Sequence, residues 1–345
     1  MLQQVDQGLK QVDISAPSRF HLTLVDLHSH FSGRIDGGAG ITLGEPRFNV
    51  SVSPSRTGFE IDCRITDPDD RAEAEGAIDA ALKNISQQIG LPGARITVES
   101  PISSHAGLGS KTSLLLSVAR GYTLLFGHDV ATRELARLVG RGGTSSIGVE
   151  SFNSGGLVID CGHSFADKNN SFTTSSWTKG IKPGPLIGRY DLPQWPLLLV
   201  TPRARKIHGQ LEQDLFAGVC PLPLEDVRTV CHVIMMMLIP AAIENDIETF
   251  GKGINIIQTC RWKAHQIECQ SEVVSKVMEA LTELGLCGVA MSSWGSSVMG
   301  IGPQLDDPKE SERIQAEMIK LMDRYDGGSC AITYADNTGH VATKT

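Results

Sequence analysis

The chain has 345 residues, of which 41% are apolar, and this length suits two domains or one large domain with a sizeable core. Its formal net charge of −8 argues against nucleic-acid binding as the main activity. The 8 cysteines are scattered without a CxxC pair, which is typical of reduced thiols in a cytoplasmic protein. The longest apolar run, around residues 233–243, contains Pro240 and is shorter than the roughly 20 residues that span a bilayer, so we expect no membrane association.

The first half of the chain is predicted to combine short strands with helices. A loosely ordered leader over residues 1–14 precedes a strand at 18–25, in which Arg19, His21 and Thr23 share the polar face. Further strands are predicted at 39–43, 48–52, 59–64, 96–98 and 156–160, and helices at 69–89, 110–126 and 130–139.

The second half is mainly helical. After a strand at 195–201, the periodicity predicts helices at 224–239 (kinked or ended at Pro240), 246–258, 272–284 and 310–324, with short strands at 288–291, 297–301 and 330–334. We therefore expect an α+β fold with an N-terminal domain over residues 15–190 and a C-terminal domain over residues 191–345.

A glycine-rich loop lies between the strand at 96–98 and the helix at 110–126. Glycines let consecutive N–H groups converge on an anion at the positive end of a helix, and lysine and hydroxyl side chains add donors. The residues predicted to bind phosphate here are Gly107, Leu108, Gly109, Ser110, Lys111 and Thr112. The spacing is not that of a Walker loop, and the alternative is an ordinary glycine turn that caps a core helix.

A second loop of the same character follows the third predicted helix. It offers a guanidinium, glycine N–H groups and hydroxyls, from Arg141, Gly142, Gly143, Thr144 and Ser145. Alone it could be a polar turn. Two such loops in one chain favour a polyanionic ligand, a phosphate or a pyrophosphate.

These loops, together with the segments 16–27, 33–38, 140–148, 155–164 and 177–185, resemble the β-ribofuranosylaminobenzene 5′-phosphate synthase family of the GHMP kinase superfamily. The resemblance covers most of the chain, from Ser15 to about Gly302. It implies a two-part GHMP-kinase-like fold and often a homodimer. It also implies condensation of phosphoribosyl pyrophosphate with an aromatic carboxylate, using Mg²⁺, with loss of CO₂ and pyrophosphate to leave a C–C glycosidic bond.

Two alternatives to this enzyme remain open. GHMP kinases of the mevalonate type carry an aspartate seven residues before a Gly-Gly pair, and that position is Gly148 here, which removes the usual base for a hydroxyl acceptor. Because some kinases of the superfamily lack this aspartate, an ATP-dependent small-molecule kinase remains an alternative. A nucleotide-binding regulator that kept the loop and lost the chemistry is the non-enzyme alternative.

The segments that carry the resemblance also contain the candidate catalytic and acceptor-binding side chains. The catalytic candidates, groups able to move a proton, are His21, Asp26, Asp36 and His163. The acceptor-binding candidates are Arg19, Thr23, Arg34, Lys179, Lys182 and Trp294. Taken singly, each has an ordinary structural interpretation as a core histidine, an ion pair or a solvated lysine.

The acceptor is left open between two classes of aromatic acid. Residues 261–268 and 292–297 depart from the expected family pattern, and Trp262 and Trp294 could stack on a nitrogen heterocycle. We therefore lean towards a pyrazole-type acceptor, as in the synthesis of C-nucleoside antibiotics. The alternative acceptor is the hydroxy- or amino-substituted benzoate used in methanopterin biosynthesis.

Overall fold

The computed structural model describes residues 9–29, 31–99, 105–175, 177–178 and 180–345. The strands are β1 (Val12–Asp26), β2 (Arg34–Pro54), β3 (Glu60–Cys63), β4 (Ala94–Glu99), β5 (Leu157–Asp160), β6 (His163–Ser164), β7 (Leu186–Tyr190), β8 (Leu197–Pro202), β9 (Gly288–Met291), β10 (Val298–Ile301), β11 (Gly328–Thr333) and β12 (Val341–Lys344). The helices are α1 (Pro68–Ile89), α2 (Ser110–Leu125), α3 (Thr132–Leu138), α4 (Ile147–Ser154), α5 (Gly209–Val219), α6 (Leu224–Val233), α7 (Ile239–Glu244), α8 (Ile247–Thr259), α9 (Arg261–Glu268), α10 (Glu272–Glu283) and α11 (Pro308–Met322). The α+β class is confirmed.

A large sheet forms around the antiparallel pair of β1 and β2. Its order is β12-β1-β2-β4-β3, with β5 and β6 also bonded to β2 and with β7 beyond β5; β3 and β4 are parallel. The strands predicted at 39–43 and 48–52 are halves of one strand, β2, which continues through Pro46. Helix α2, buried along almost its whole length, packs on β1 and β2. β1 begins at Val12 and so takes in the last residues of the predicted leader.

An irregularity in β1 changes which side chains share a face. His21 pairs with Gly40 but Thr23 pairs with Ala39, so β1 holds one extra residue between them. A bulge of this kind reverses the alternation of side chains beyond it. Arg19 and His21 therefore share their face with Leu24, and Thr23, predicted to lie beside them, is buried with its hydroxyl donating to the Leu24 carbonyl at 2.7 Å.

The second sheet is antiparallel, in the order β11-β8-β10-β9, and α10 and α11 pack on it. Val200, Val277 and Ile314 lie in the buried cluster between this sheet and its helices. After β11 the chain returns to the first sheet, where β12 pairs with β1. The domain boundary near residue 190 stays a prediction.

The helix predicted to be kinked or ended at Pro240 instead continues to Glu244. Residues 234–238 form a π-helical turn between α6 and α7, and this wider turn accommodates a proline that cannot donate a backbone hydrogen bond. By length and composition alone the stretch Leu224–Glu244 could cross a membrane, a test that the core helices of soluble proteins also pass. Val227, Val230 and Leu238 of this stretch are buried.

Candidate active site

A cavity of about 420 Å³, called the outer chamber here, lies between the first glycine loop, α1, α5 and the turn at residues 292–295. The loop bends through residues with positive φ, at His105, Gly107 and Gly109, before α2 begins at Ser110. Gly109 has no side chain to cap α2, and Ser110, Lys111 and Thr112 of the first turn line the chamber, where the positive end of a helix favours an anion.

The bend of this loop depends on close backbone approach to the turn at 292–295. A Cβ on Gly107 would lie 2.3 Å from the Ser292 carbonyl oxygen, so a side chain at Gly107 would collide with the turn. The Ser292 hydroxyl donates to the Gly107 carbonyl at 2.6 Å and accepts from the His21 N–H at 2.9 Å. The loop is therefore held in place against both β1 and the second sheet.

Three cationic side chains line the outer chamber: Arg19, Lys111 and Arg141. Arg141 donates through Nε to the Thr112 hydroxyl at 3.0 Å, which joins the two glycine-rich loops. Arg19 donates to the Gly107 carbonyl. Among the described residues, neither arginine forms an ion pair with a carboxylate.

Burial and mutual repulsion act on the two arginines. Burial, and secondarily the charge of Arg141, lowers the pKa of Arg19 to about 10. Burial also lowers the pKa of Arg141, an effect that Glu212 opposes. Both guanidinium groups remain charged at neutral pH, so the chamber holds positive charge that an anionic ligand would neutralise.

Two carboxylates border these cations. Glu73 accepts from Lys111 at 3.0 Å and from His105 at 3.1 Å, and although burial alone would raise its pKa, these bonds lower it to about 2. Glu212, on α5, has its pKa raised to about 7 by burial, against the opposing charges of Arg141 and Lys111. No hydrogen bond to the Glu212 carboxylate is found in the part of the chain described.

A smaller cavity of about 80 Å³, the inner chamber, continues from the outer one. The two share Arg19, Arg141, Glu212 and Trp294 in their linings. The apolar wall of the inner chamber is formed by Leu24, Phe216, Trp262 and Trp294, with the Trp262 ring edge-on to the rings of Phe216 (5.1 Å) and Trp294 (5.3 Å). Such a wall suits a flat aromatic ring.

A polar side of the inner chamber begins at His21. Its Nε2 lies 3.2 Å from the hydroxyl of Ser145, and that hydroxyl donates to Oδ2 of Asp160 at 3.3 Å. Burial, and then the charges of Arg19 and Lys263, lower the pKa of His21 well below its usual value. Burial raises the pKa of Asp160 to about 7, despite N–H groups of Gly162 and Ser146 that donate to it.

Gln266 supplies a second polar group to this chamber. The Nζ of Lys263, fully buried, donates to Gln266 Oε1 at 2.9 Å and to the Met291 carbonyl at 2.7 Å. The protonated form of Lys263 can only donate, so it faces the amide oxygen of Gln266 and leaves the Gln266 NH₂ for other partners. Burial lowers the pKa of Lys263 to about 7.

The structure brings part of the predicted site together. Those predicted residues that line the two chambers are Arg19, His21, Gly107, Gly109, Ser110, Lys111, Thr112, Arg141, Gly142, Thr144, Ser145 and Trp294. Leu108 and Gly143 belong to the loops but not to the linings; Leu108 is in the core and Gly143 packs against Thr178.

Other predicted residues lie outside the chambers. Asp26 accepts hydrogen bonds from the N–H of His28 and the hydroxyl of Ser32 and so stabilises a turn. Arg34 donates to the carbonyls of Cys161 and Gly162. Lys182 is exposed, and Lys179 is outside the described residues.

Asp36 and His163 form a buried cluster with Lys168 behind the second glycine loop. Asp36 Oδ2 accepts from Lys168 Nζ at 2.8 Å and contacts His163 Nδ1 at 3.1 Å. The other ring nitrogen of His163 lies 3.0 Å from the carbonyl of Gly142 in that loop. This cluster supports the loop, and the catalytic assignments of Asp36 and His163 stay predictions.

Sequence reasoning missed four polar residues of the site: Glu212, Asp160, Lys263 and Gln266. Glu212 lies on α5, a helix that the periodicity did not predict. Asp160 ends the apolar run of β5, where a carboxylate that is fully buried is unusual and could have drawn attention.

Gly148 lines the inner chamber beside Thr112. A Cβ at this position would lie 3.1 Å from Thr112 Cγ2, so the backbone leaves little room for a side chain here. The chamber therefore has no carboxylate where mevalonate-type kinases carry one.

The described residues contain no group of three or more His, Cys, Asp or Glu side chains that could hold a metal by themselves. A divalent cation bound mainly through phosphate oxygens needs only one or two carboxylates. Glu212 faces the outer chamber without a hydrogen-bond partner for its carboxylate among the described residues, and so fits that requirement.

Family models match both parts of the chain: GHMP kinases N-terminal domain over residues 76–157 and GHMP kinases C-terminal over residues 238–324. The chain is similar in fold to homoserine kinase from Cytophaga hutchinsonii (TM-score 0.66, 15% identity, 99% of this chain and 100% of that one) and to mevalonate diphosphate decarboxylase from Enterococcus faecalis (TM-score 0.65, 13% identity, 98% and 100%). These likenesses confirm the GHMP-kinase-like fold.

Closer relatives carry the name β-ribofuranosylphenol 5′-phosphate synthase. The protein from Archaeoglobus fulgidus is 39% identical over 84% of this chain and 87% of its own length. That from Methanothermobacter thermautotrophicus is 39% identical over 84% and 88%, and that from Methanocaldococcus jannaschii is 33% identical over 95% and 98%. At this identity and coverage, the chain belongs to the β-ribofuranosylphenol 5′-phosphate synthase family, a C-ribosyltransferase type of enzyme on the GHMP kinase fold.

Proposed function

We propose that this enzyme joins phosphoribosyl pyrophosphate to para-hydroxybenzoate, releasing CO₂ and pyrophosphate and leaving β-ribofuranosylphenol 5′-phosphate. The observation that carries the proposal is the pair of chambers: a cationic outer chamber at a helix N-terminus opens directly onto a small chamber walled by aromatic rings. The first suits a polyphosphate and the second suits a flat aromatic acid.

The outer chamber is the proposed site of phosphoribosyl pyrophosphate. The N-terminal turn of α2, with Lys111 and Arg141, would bind the pyrophosphate and stabilise the charge that develops as it leaves. Glu212 would hold Mg²⁺ against the pyrophosphate oxygens, where the cation supplies further charge neutralisation. The Mg²⁺ requirement and these roles are part of the proposal.

The orientation of the aromatic acid follows from where the chambers meet. The carbon that carries the carboxylate must face the anomeric carbon of the ribose, so it belongs at the junction, beside Arg19 and Arg141. The para oxygen then points to the polar side of the inner chamber, towards His21 and Gln266. A phenol accepts a hydrogen bond and donates one, which matches an amide NH₂ and an unprotonated imidazole.

The reaction uses the electrons of the phenol. As the anomeric C–O bond breaks, the ionised phenol oxygen donates electron density through the ring, and the carbon that carries the carboxylate forms the new bond to the anomeric carbon. The bond to the carboxylate then breaks, CO₂ leaves, and its electron pair restores the aromatic ring as a phenolate. Protonation of that oxygen completes the product.

The relatives favour the benzoate alternative over the pyrazole-type acceptor expected from the sequence. Their names specify a phenol product. The differences at residues 261–268 and 292–297 do not require a heterocycle, because Trp262 packs on Phe216 and on Trp294 as part of a buried aromatic cluster.

The test is release of pyrophosphate from phosphoribosyl pyrophosphate and Mg²⁺ with a panel of carboxylates, with labelled CO₂ trapped in parallel. The panel contains para-hydroxybenzoate, para-aminobenzoate and an aminopyrazole carboxylate. Equal release of both products, greatest with para-hydroxybenzoate, supports the proposal. ADP formation from ATP without pyrophosphate release supports a kinase, and ligand binding without turnover supports a regulator; either result would overturn it.

A further inference from the structure

His21 contacts Ser145, and Ser145 contacts Asp160, so a continuous chain of hydrogen bonds leads from the inner chamber into the core. The distances are 3.2 Å from His21 Nε2 to the Ser145 oxygen and 3.3 Å from that oxygen to Asp160 Oδ2. The Ser145 oxygen also accepts from the N–H of Ile147 at 3.2 Å, which fixes its position. Asp160 is fully buried and does not line either chamber.

One arrangement of donors and acceptors lets a proton pass along this chain from one end to the other. Ser145 donates its hydroxyl proton to Asp160, so its oxygen is free to accept from His21. A proton relay along this chain requires the His21 proton on Nε2, which leaves Nδ1 as the ring nitrogen that takes a proton from a phenol.

We propose that Asp160 accepts the phenol proton of the substrate through Ser145 and His21, and returns it to the product by the same route. This inference rests on the proposed function. The phenol proton moves to His21 Nδ1, the Nε2 proton moves to the Ser145 oxygen, and the Ser145 proton moves to Asp160 Oδ2. After CO₂ leaves, the product phenolate takes the proton back in the reverse order, so no net proton is consumed.

The charges around the chain place the proton on the carboxylate rather than on the imidazole. Arg19 and Lys263, both cationic when protonated, oppose a positive charge on the His21 ring, and a hydrogen bond with the His21 backbone favours that charge more weakly. Asp160 is faced by the N–H groups of Ser146 and Gly162 and lies near His163 and Asp36. Burial raises the pKa of Asp160 to about 7, whereas the pKa of His21 lies well below its usual value. The histidine ordinarily has the higher pKa of the two, and this order is reversed here.

The experiment compares two substrates that differ in the acidity of the phenol. Fluorine atoms flanking the hydroxyl make a phenol ionise near neutral pH with little change in size. Asp160→Asn should lower kcat with para-hydroxybenzoate by roughly 10²-fold at neutral pH. With the difluorinated acid, the loss of kcat in Asp160→Asn should be less than about tenfold. The phenol of this substrate ionises near neutral pH by itself, so turnover depends less on the transfer of its proton to Asp160.

Ser145→Ala provides a second test that leaves the buried carboxylate in place. It removes the link in the middle of the chain and should show the same dependence on phenol acidity. Glu150→Gln is the matched control, since Glu150 is a buried carboxylate on α4 that pairs with Arg133 and, among the described residues, contacts neither the His21 ring nor Asp160. Any loss in that variant should be equal for the two substrates. Equal losses for both substrates in Asp160→Asn and Ser145→Ala would reduce both residues to a structural role and overturn the inference.

A measurement without turnover separates this inference from the proposed function. The fluorine NMR shift of bound monofluorinated para-hydroxybenzoate reports whether its hydroxyl is ionised. At neutral pH the wild-type protein should bind it as the phenolate, and Asp160→Asn should bind it as the phenol. The same bound form in both proteins overturns the relay even if the enzyme is active. Absence of binding by the wild-type protein overturns the proposed function itself, and the relay with it.

Discussion

Arg141 donates a hydrogen bond of 3.0 Å from Nε to the hydroxyl of Thr112, and this contact joins the two glycine-rich loops that are 29 residues apart in the chain. It places one guanidinium beside the N-terminal turn of α2, close to Arg19 and without an ion-pair partner among the residues described. The contact therefore brings the two proposed anion-binding loops together at one chamber.

Removing the guanidinium of Arg141 should weaken ligand binding without loss of stability. A charge-assisted hydrogen bond contributes about 1.5–3 kcal/mol, so Arg141→Gln should raise the Kd of phosphoribosyl pyrophosphate by roughly 10- to 100-fold in calorimetry. The Tm of the ligand-free protein should change little, since the change relieves repulsion with Arg19 while it removes the hydrogen bond to Thr112. Arg137→Gln, at an arginine paired with Glu134 on α3, is the control and should leave the Kd unchanged.

Lys111→Ala should weaken binding less than the change at Arg141. The side chain is 44% exposed and its charge is partly neutralised by Glu73, so we expect the Kd to rise by about tenfold or less while the fold stays intact. Lys83→Ala, at an exposed lysine paired with Asp79, should have no effect. An unchanged Kd in Lys111→Ala would remove Lys111 from the binding site.

His21→Ala should affect turnover rather than binding of phosphoribosyl pyrophosphate. Loss of a group that exchanges a proton with the substrate costs roughly 10²–10⁴-fold in kcat. The Kd of phosphoribosyl pyrophosphate should change little, because the imidazole lies in the inner chamber. His232→Ala, at an exposed histidine on α6, is the control, and wild-type kinetics in His21→Ala would leave His21 with a structural role only.

Glu212 should make phosphate binding depend on pH near neutrality. Its pKa is raised to about 7, so it is mostly protonated below that pH and is an anion beside the pyrophosphate site above it. Without Mg²⁺, affinity for pyrophosphate should therefore fall by roughly tenfold between about pH 6 and pH 8, and Mg²⁺ should reduce or reverse the trend by binding the ionised carboxylate. In Glu212→Gln, the dependence of affinity on pH should be the same with and without Mg²⁺. A pH profile identical to that of the wild type would contradict this role of Glu212.

Lys263→Met should stabilise the protein most at low pH. Burial lowers the pKa of Lys263 to about 7, so between that pH and the ordinary range of lysine the unfolded chain binds more protons than the folded chain. Stability of the wild type therefore rises with pH over this window. The amount by which Lys263→Met raises the free energy of unfolding, measured with urea, should fall by at least about 1 kcal/mol between pH 6.5 and pH 9.

Lys276→Met is the control for this measurement, because Lys276 is a half-exposed lysine paired with Glu279 on α10. Its effect on the free energy of unfolding should not change with pH over the same window. If the effect of Lys263→Met were equally independent of pH, the ammonium of Lys263 would not be destabilised by its surroundings.

Lys263→Met should also reduce the preference of the enzyme for para-hydroxybenzoate over para-aminobenzoate, since Gln266 loses the donor that orients its amide.

Much of the fold and the position of the candidate anion-binding loop could be predicted from the sequence, because these features depend on local pattern. Alternation of apolar residues predicted β1 and most other strands, and the glycines at 107 and 109 predicted a phosphate loop before α2. The combination of motifs also identified the family, since the segments that resemble it lie along most of the chain.

The inner chamber could not be predicted in the same way, because it is assembled from residues far apart in the chain. The bulge in β1 replaced Thr23 with Leu24 on the site face, and no local pattern marks that extra residue. Glu212 reaches the site from α5, and Asp160 from the end of β5.

The amino-acid sequence by itself determined most of the elements, the candidate phosphate loop and the family of this protein, because each of them depends on the order and spacing of neighbouring residues. The tertiary structure decided which charges remain without partners, which carboxylates are buried, and which proton donors reach the aromatic chamber. Those properties depend on distance and solvent exposure, and both arise only when β1, α2, α5 and α9 pack together.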